Sequence, residues 1–139
     1  MESEILELWE TPFSAAVFPS VQVITDDEVC NSVNLIIASG GYPHYLIKFA
    51  EIYGFKVMDE SWAPVNRFVT VQRTAKGCAY LWRGSLWLKE FLSERPSLEG
   101  EVAHYVLLGG DLIVEVLSKY EPKIEEFESV AKISKHYSV

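Results

Sequence analysis

Cysteine, basic residues and long apolar runs are all scarce in this chain, and each scarcity closes off a class of protein. Only Cys30 and Cys78 occur, too few and too far apart for a disulfide framework or a cysteine zinc site. No uninterrupted apolar stretch approaches about 18 residues, so no helix is expected to cross a membrane. The opening MESEILELWE lacks a basic segment followed by an apolar one and does not read as a secretory signal. The expectation is a cytoplasmic protein with two reduced, buried thiols.

Motifs with known chemistry are missing as well. SGGYPH and LGGDL each hold a glycine pair, but neither continues into Gly-Lys-Ser/Thr, and no G-x-G-x-x-G follows a strand. H-E-x-x-H, C-x-x-C and G-x-S-x-G do not occur. No cofactor and no metal is implied. His44, His104 and His136 are each followed by tyrosine, without a metal-ligand spacing among them. Asp26, Asp27 and Glu28 read as first-turn acids of a helix rather than as ligands.

Twelve Lys and Arg face twenty Asp and Glu, for a net charge of −8. That balance opposes general attraction to phosphate, so nucleic acid is not the expected partner. The charge is unevenly spread. Residues 62–89 carry five bases and no acid, together with three of the four tryptophans and three of the four arginines.

What remains is ample apolar material. A chain of 139 residues that is 49% apolar can build one core unaided, so residues 1–139 are expected to form a single domain. Residues 1–19, punctuated by Pro12 and Pro19, read as an arm laid on the body. SVQVIT reads as a strand. Thr25 and Glu28 have capping-box spacing, and Gly40-Gly41 offers a stop, which predicts a helix between them with Val29, Val33 and Ile36/Ile37 on one face. Pro43 to Gly54 predicts a second helix.

From Phe55 onward β-branched and aromatic residues predict strands: FKVMD, NRFVTVQRT and CAYLW. Arg83-Gly84 is read as a tight hairpin link, with SLWLKEFL as the returning strand and a helix as its competitor. That register sets Tyr80 opposite Trp87 and Cys78 opposite Lys89. Gly109-Gly110 predicts another hairpin, since two glycines inside a helix would cost roughly 2 kcal/mol. Its register sets Leu107 opposite Leu112 and His104 opposite Glu115. Pro122 to Tyr137 predicts an amphipathic helix. The expected class is therefore α+β: an antiparallel sheet of about five strands, an N-terminal helical pair and a C-terminal helix.

Two functional readings follow. In the first, Tyr80, Trp82 and Trp87 project from one sheet face with Arg67, Arg73, Arg83 and Lys89 around them. Trp, Tyr and Arg dominate binding hot spots, so this face would dock another protein, an acidic one or a second copy in a homodimer. A regulatory, adaptor or inhibitor role without catalysis fits that composition. If the helical pair covers the face instead, the arginines are merely its solvated rim. The second reading is a ligand-binding protein or enzyme with a pocket between helices and sheet, where His104 and Glu115 would do acid-base work. A surface ion pair is the plainer account of those two residues. Cys78 reads as an inert thiol, no histidine being placed to act as its base.

Overall fold

The computed structural model describes residues 4–14, 16, 19–24, 32–38, 43–59, 72–73 and 77–128. These form ten strands: β1 (Ile5–Leu8), β2 (Ser20–Ile24), β3 (Val33–Ala38), β4 (His44–Phe49), β5 (Ile52–Asp59), β6 (Gln72–Arg73), β7 (Ala79–Arg83), β8 (Ala103–Leu108), β9 (Leu112–Ser118) and β10 (Lys123–Phe127). One α-helix, α1 (Leu86–Glu94), and a single 3-10 turn at Pro96–Leu98 complete the described elements.

The strands make a six-stranded sheet in the order β5-β9-β8-β7-β1-β6 and a four-stranded sheet in the order β10-β4-β3-β2. All pairings are antiparallel except β1 with β6. The sheets face each other across one core. Leu35, Ile37, Ile47 and Phe49 of the smaller sheet pack with Tyr105, Leu107, Val114 and Val116 of the larger, and Trp9 and Phe13 join them from the N-terminal segment. Trp9, Phe49 and Tyr105 meet ring to ring with centroids 4.9–6.4 Å apart. Leu6 of β1 is fully buried beside Trp82, so the segment read as an arm is a working strand of the sheet.

This is a two-sheet, mainly β architecture, which overturns the α+β expectation. The first expected helix is strand β3 from Val33; residues 25–31 of that reading lie outside the described residues. The second is β4 followed by β5, and β10 occupies the start of the expected C-terminal helix, whose residues 129–137 are not described. The cause is burial on both faces. Every residue from Val33 to Ile37 is buried, because Val33, Leu35 and Ile37 face the core while Asn34 and Ile36 are covered on the far side. A strand covered twice loses its alternation and becomes a continuous apolar run, which periodicity cannot separate from a helix. The hydrophobes' β-branching was the better guide.

SLWLKEFL, in contrast, is helix and not a returning strand. The β7–β8–β9 order leaves no place for it: β7 pairs directly with β8, Tyr80 opposite Val106. Cys78 is accordingly not beside Lys89. Its Sγ donates to the Phe13 carbonyl at 3.2 Å, fastening the N-terminal segment to β7.

The Gly109-Gly110 hairpin does join two strands, but through three residues, 109–111, which shifts the expected register by two. The Gly109 N–H donates to the Leu112 carbonyl, the Gly110 N–H to the Pro19 carbonyl, and Asp111 Oδ1 accepts from the Val21 N–H. The turn is thereby tied to the neighbouring sheet.

Candidate functional site

The outer face of the larger sheet is apolar over Leu6, Tyr80, Trp82, Val106 and Ile113. One end of it, beneath α1, is not. β7 ends at Arg83, and Gly84 turns the chain with φ 72°, in the left-handed region glycine enters at least cost. Ser85 follows in extended backbone and caps α1, its Oγ accepting from the Leu88 N–H at 3.2 Å. The same hydroxyl lies 2.6 Å from His104 Nδ1 on β8, and His104 Nε2 lies 2.9 Å from Glu115 Oε1 on β9. Each of the three residues is 1% exposed.

With Glu115 ionised and the imidazole neutral, the ring proton is assigned to Nε2, because a carboxylate oxygen can only accept, and Nδ1 then accepts the Ser85 O–H. Trp82 stacks on the imidazole with centroids 5.0 Å apart, and Trp87 meets it edge-on at 5.2 Å. The Trp87 ring can lie this close to the sheet because β5 offers it Gly54: a Cβ there would stand 3.1 Å from the indole.

A half-open cleft of about 360 Å³ adjoins this turn, with buried Ser85 and Trp82 and half-buried Trp87 in its wall beside exposed Glu4, Lys56 and Glu90. Lys56 Nζ stands 4.1 Å from the Trp87 ring centroid.

A second feature borders the cleft. Among the described residues the large apolar side chains that are 40–64% exposed are Tyr53, Phe55, Val57, Leu86 and Tyr120. Three belong to β5, the outermost of the described strands of its sheet. Phe55 and Val57 are cross-strand partners of Val116 and Val114, which are fully buried, so the core ends between β9 and β5. A bulge between Ile52 and Gly54 re-aims the strand, and Tyr53 packs on Phe91 of α1 with centroids 5.0 Å apart. Arg95 lies over the other contact of that group, 4.6 Å from the Phe91 centroid. Leu86 lines the cleft next to Lys56, and Tyr120 follows the Ser118–Ile52 pair that begins the β5–β9 ladder.

Of the residues expected to form a docking face, those whose side chains are described lie at different depths. Tyr80 and Trp82 are buried, Tyr80 with its hydroxyl donating to the Gly77 carbonyl at 3.0 Å. Arg83 is exposed and ion-paired with Glu7 across the β1–β7 pair. Trp87 is half-buried and Lys89 exposed, both on α1. Arg73 lies in β6, where only the backbone is described, and Arg67 is outside the described residues. His104 and Glu115 are brought together, but in the interior and not as a surface pair.

Sequence reasoning missed two contributors. Ser85 carried a readable signal, a capping residue directly after glycine and before LWLKEFL, which the hairpin reading absorbed. The exposed flank of β5 carried none, since exposure depends on where the opposing sheet stops.

Cys78 is held in its neutral form: burial pushes the thiol up to about 11, only partly offset by a backbone hydrogen bond. His44 Nδ1 is buried with no hydrogen-bond partner among the described residues. No described helix is long and apolar enough to cross a membrane, and no group of three His, Cys, Asp or Glu among the described residues is placed to hold a metal. No family model, curated protein or solved structure matches the chain.

Proposed function

We propose that this chain is a protein-binding domain whose docking surface is the β5 edge and the adjoining flank of α1, and that its occupant is an extended segment of another protein. The observation that carries the reading is the clustering of the exposed large hydrophobes around one edge strand. Isolated exposed apolar residues are ordinary, but three on the outermost described strand, Tyr53 toward α1 and Phe55 and Val57 on the side of Val116 and Val114, favour strand addition, in which an edge backbone and flanking apolar side chains act together. Tyr53, Phe91, Trp87 and Arg95 supply the ring and guanidinium chemistry that concentrates binding energy. The hot-spot composition noticed around residues 80–89 thus contributes through Trp87 and α1. A regulatory, adaptor or inhibitor role fits a domain of this kind.

A photo-cross-linking residue placed at Val57 tests the reading in cells of the native host. A discrete adduct with a second protein, absent when the cross-linker sits at exposed Glu99 and lost on Phe55→Glu, supports it. An adduct of twice the chain mass reassigns the edge to self-association, and no adduct at Val57 overturns the reading.

A further inference from the structure

We propose that Ser85, His104 and Glu115 also form a nucleophilic acyl-transfer site, opening on the cleft beside α1 and acting on small esters with a short apolar acyl group. The geometry supplies the parts in order: a hydroxyl 2.6 Å from an imidazole nitrogen that accepts its proton in the neutral ring, and a carboxylate 2.9 Å from the opposite ring nitrogen. This is the logic of a serine triad with the two ring nitrogens exchanged, Nδ1 toward the nucleophile and Nε2 toward the carboxylate. The strand-glycine-serine-helix turn presents the hydroxyl at the start of α1, where the Leu86 and Trp87 amides have no acceptor within the helix. Amides at a helix start are the kind of donor that can stabilise a developing oxyanion.

Helix capping does not account for the arrangement. A serine, threonine, asparagine or aspartate alone would satisfy the Leu88 N–H. The histidine and glutamate behind it cost desolvation on a face that is otherwise Leu, Val, Ile and aromatic, where apolar side chains of equal volume would pack without that penalty. Substrate size follows from access. Ser85 is 1% exposed and shares the cleft wall with Trp82 and Trp87, which suits a short apolar acyl chain.

In the reaction Ser85 Oγ attacks the ester carbonyl carbon while its proton passes to His104 Nδ1. The tetrahedral intermediate collapses as the carbon–alkoxy bond breaks, and His104 returns the proton to the departing alcohol. Water then attacks the acyl-serine, giving its proton to His104, and the released acid leaves Ser85 to recover that proton. Ser85 and His104 are the catalytic residues; Glu115 is a positioning residue that holds the ring and its tautomer.

The test uses the intact wild-type chain and a fluorophosphonate ester, which a serine nucleophile captures with loss of fluoride, followed by peptide mapping. Para-nitrophenyl acetate reports turnover in parallel. The expected result is one adduct, on Ser85, formed by folded but not urea-unfolded protein. His104→Gln should slow labelling by about 10²-fold or more. Ser85→Ala removes the nucleophile with the smallest change in volume and should abolish the adduct in protein that stays folded. Glu115→Gln should slow labelling and displace the midpoint of its pH profile, which a purely structural role would leave in place. The wild type alone can overturn the proposal: no adduct, or an adduct on any residue other than Ser85, ends it even if a variant fails to fold. Equal labelling rates in folded His104→Gln and wild type also end it.

Discussion

His104 and Glu115 are not cross-strand partners, although their side chains meet: His104 pairs with Leu117 and Glu115 with Val106, and the imidazole reaches the carboxylate diagonally at 2.9 Å. The three-residue turn sets this offset. A two-residue register shift leaves each side chain on its own face, because strand side chains repeat every second residue. The pair therefore survives the shift and is displaced only along the strand.

Removing one member of this pair should be costly, because the other stays buried without its partner. Glu115→Ala is expected to lose about 3–5 kcal/mol in urea unfolding, and Glu115→Gln, which keeps the shape and can still hydrogen-bond, distinctly less. Equal losses in the two variants would mean that packing, and not the polar contact, dominates at this position.

Gly54 and Trp87 are the next pair to separate. A methyl at 54 would press on the indole from 3.1 Å, while His104 meets the ring edge-on at 5.2 Å and limits its retreat. Gly54→Ala should cost about 1–3 kcal/mol, as overpacking does, and red-shift tryptophan emission as Trp87 moves toward water. Unchanged emission with full stability would show that α1 adjusts as a body.

How far the sequence foretold all this varied with how each element is covered. The β8–β9 hairpin was legible because Gly109-Gly110 excludes a helix. FKVMD and CAYLW were legible because one flank of each is open or bounded by turns. β3 and β4 were not, since Asn34, Ile36 and Leu46 are buried on the face away from the main core and erase the alternation. β10 failed for another reason: Ile124 and Phe127 stand three apart, a helical spacing, yet they point to opposite faces of a strand. The His104–Glu115 pair was readable from one hairpin, whereas Ser85 joins it from α1, and that third member required knowing that β7 turns into a helix.

The crossing between the sheets holds a local strain. Glu51 follows β4 with φ 53°, a left-handed conformation in which a side chain is unfavourable. Its side chain is exposed, so little packing is lost by removing it. Glu51→Gly should stabilise the fold by about 0.5–1 kcal/mol, less than the full conformational penalty because glycine adds entropy to the unfolded chain. A melting temperature below wild type would show that the carboxylate makes a compensating contribution.

Alkaline pH should weaken this fold earlier than tyrosine or lysine ionisation in an open chain would suggest. Burial raises Cys78 from 9.0 to about 11, and burial together with the negative charge of Glu121 raises Tyr105 from 10.0 to about 12. Both groups are neutral when protonated, and in each the folded value lies above the unfolded one. Between the two values the folded state holds a proton that the unfolded state has lost, so unfolding releases protons and stability falls as pH rises. The contribution is complete below pH 9, declines first through Cys78 and then through Tyr105, and is gone by about pH 12. Urea midpoints measured upward from pH 8 should fall steadily, and Cys78→Ala should remove the earlier part of the decline. The same burial should keep the Cys78 peptide unmodified by iodoacetamide in folded protein at pH 8, with rapid reaction in urea; fast alkylation of the folded chain would mean that β7 and the Phe13 segment open readily, and the alkaline argument for Cys78 would fall with it.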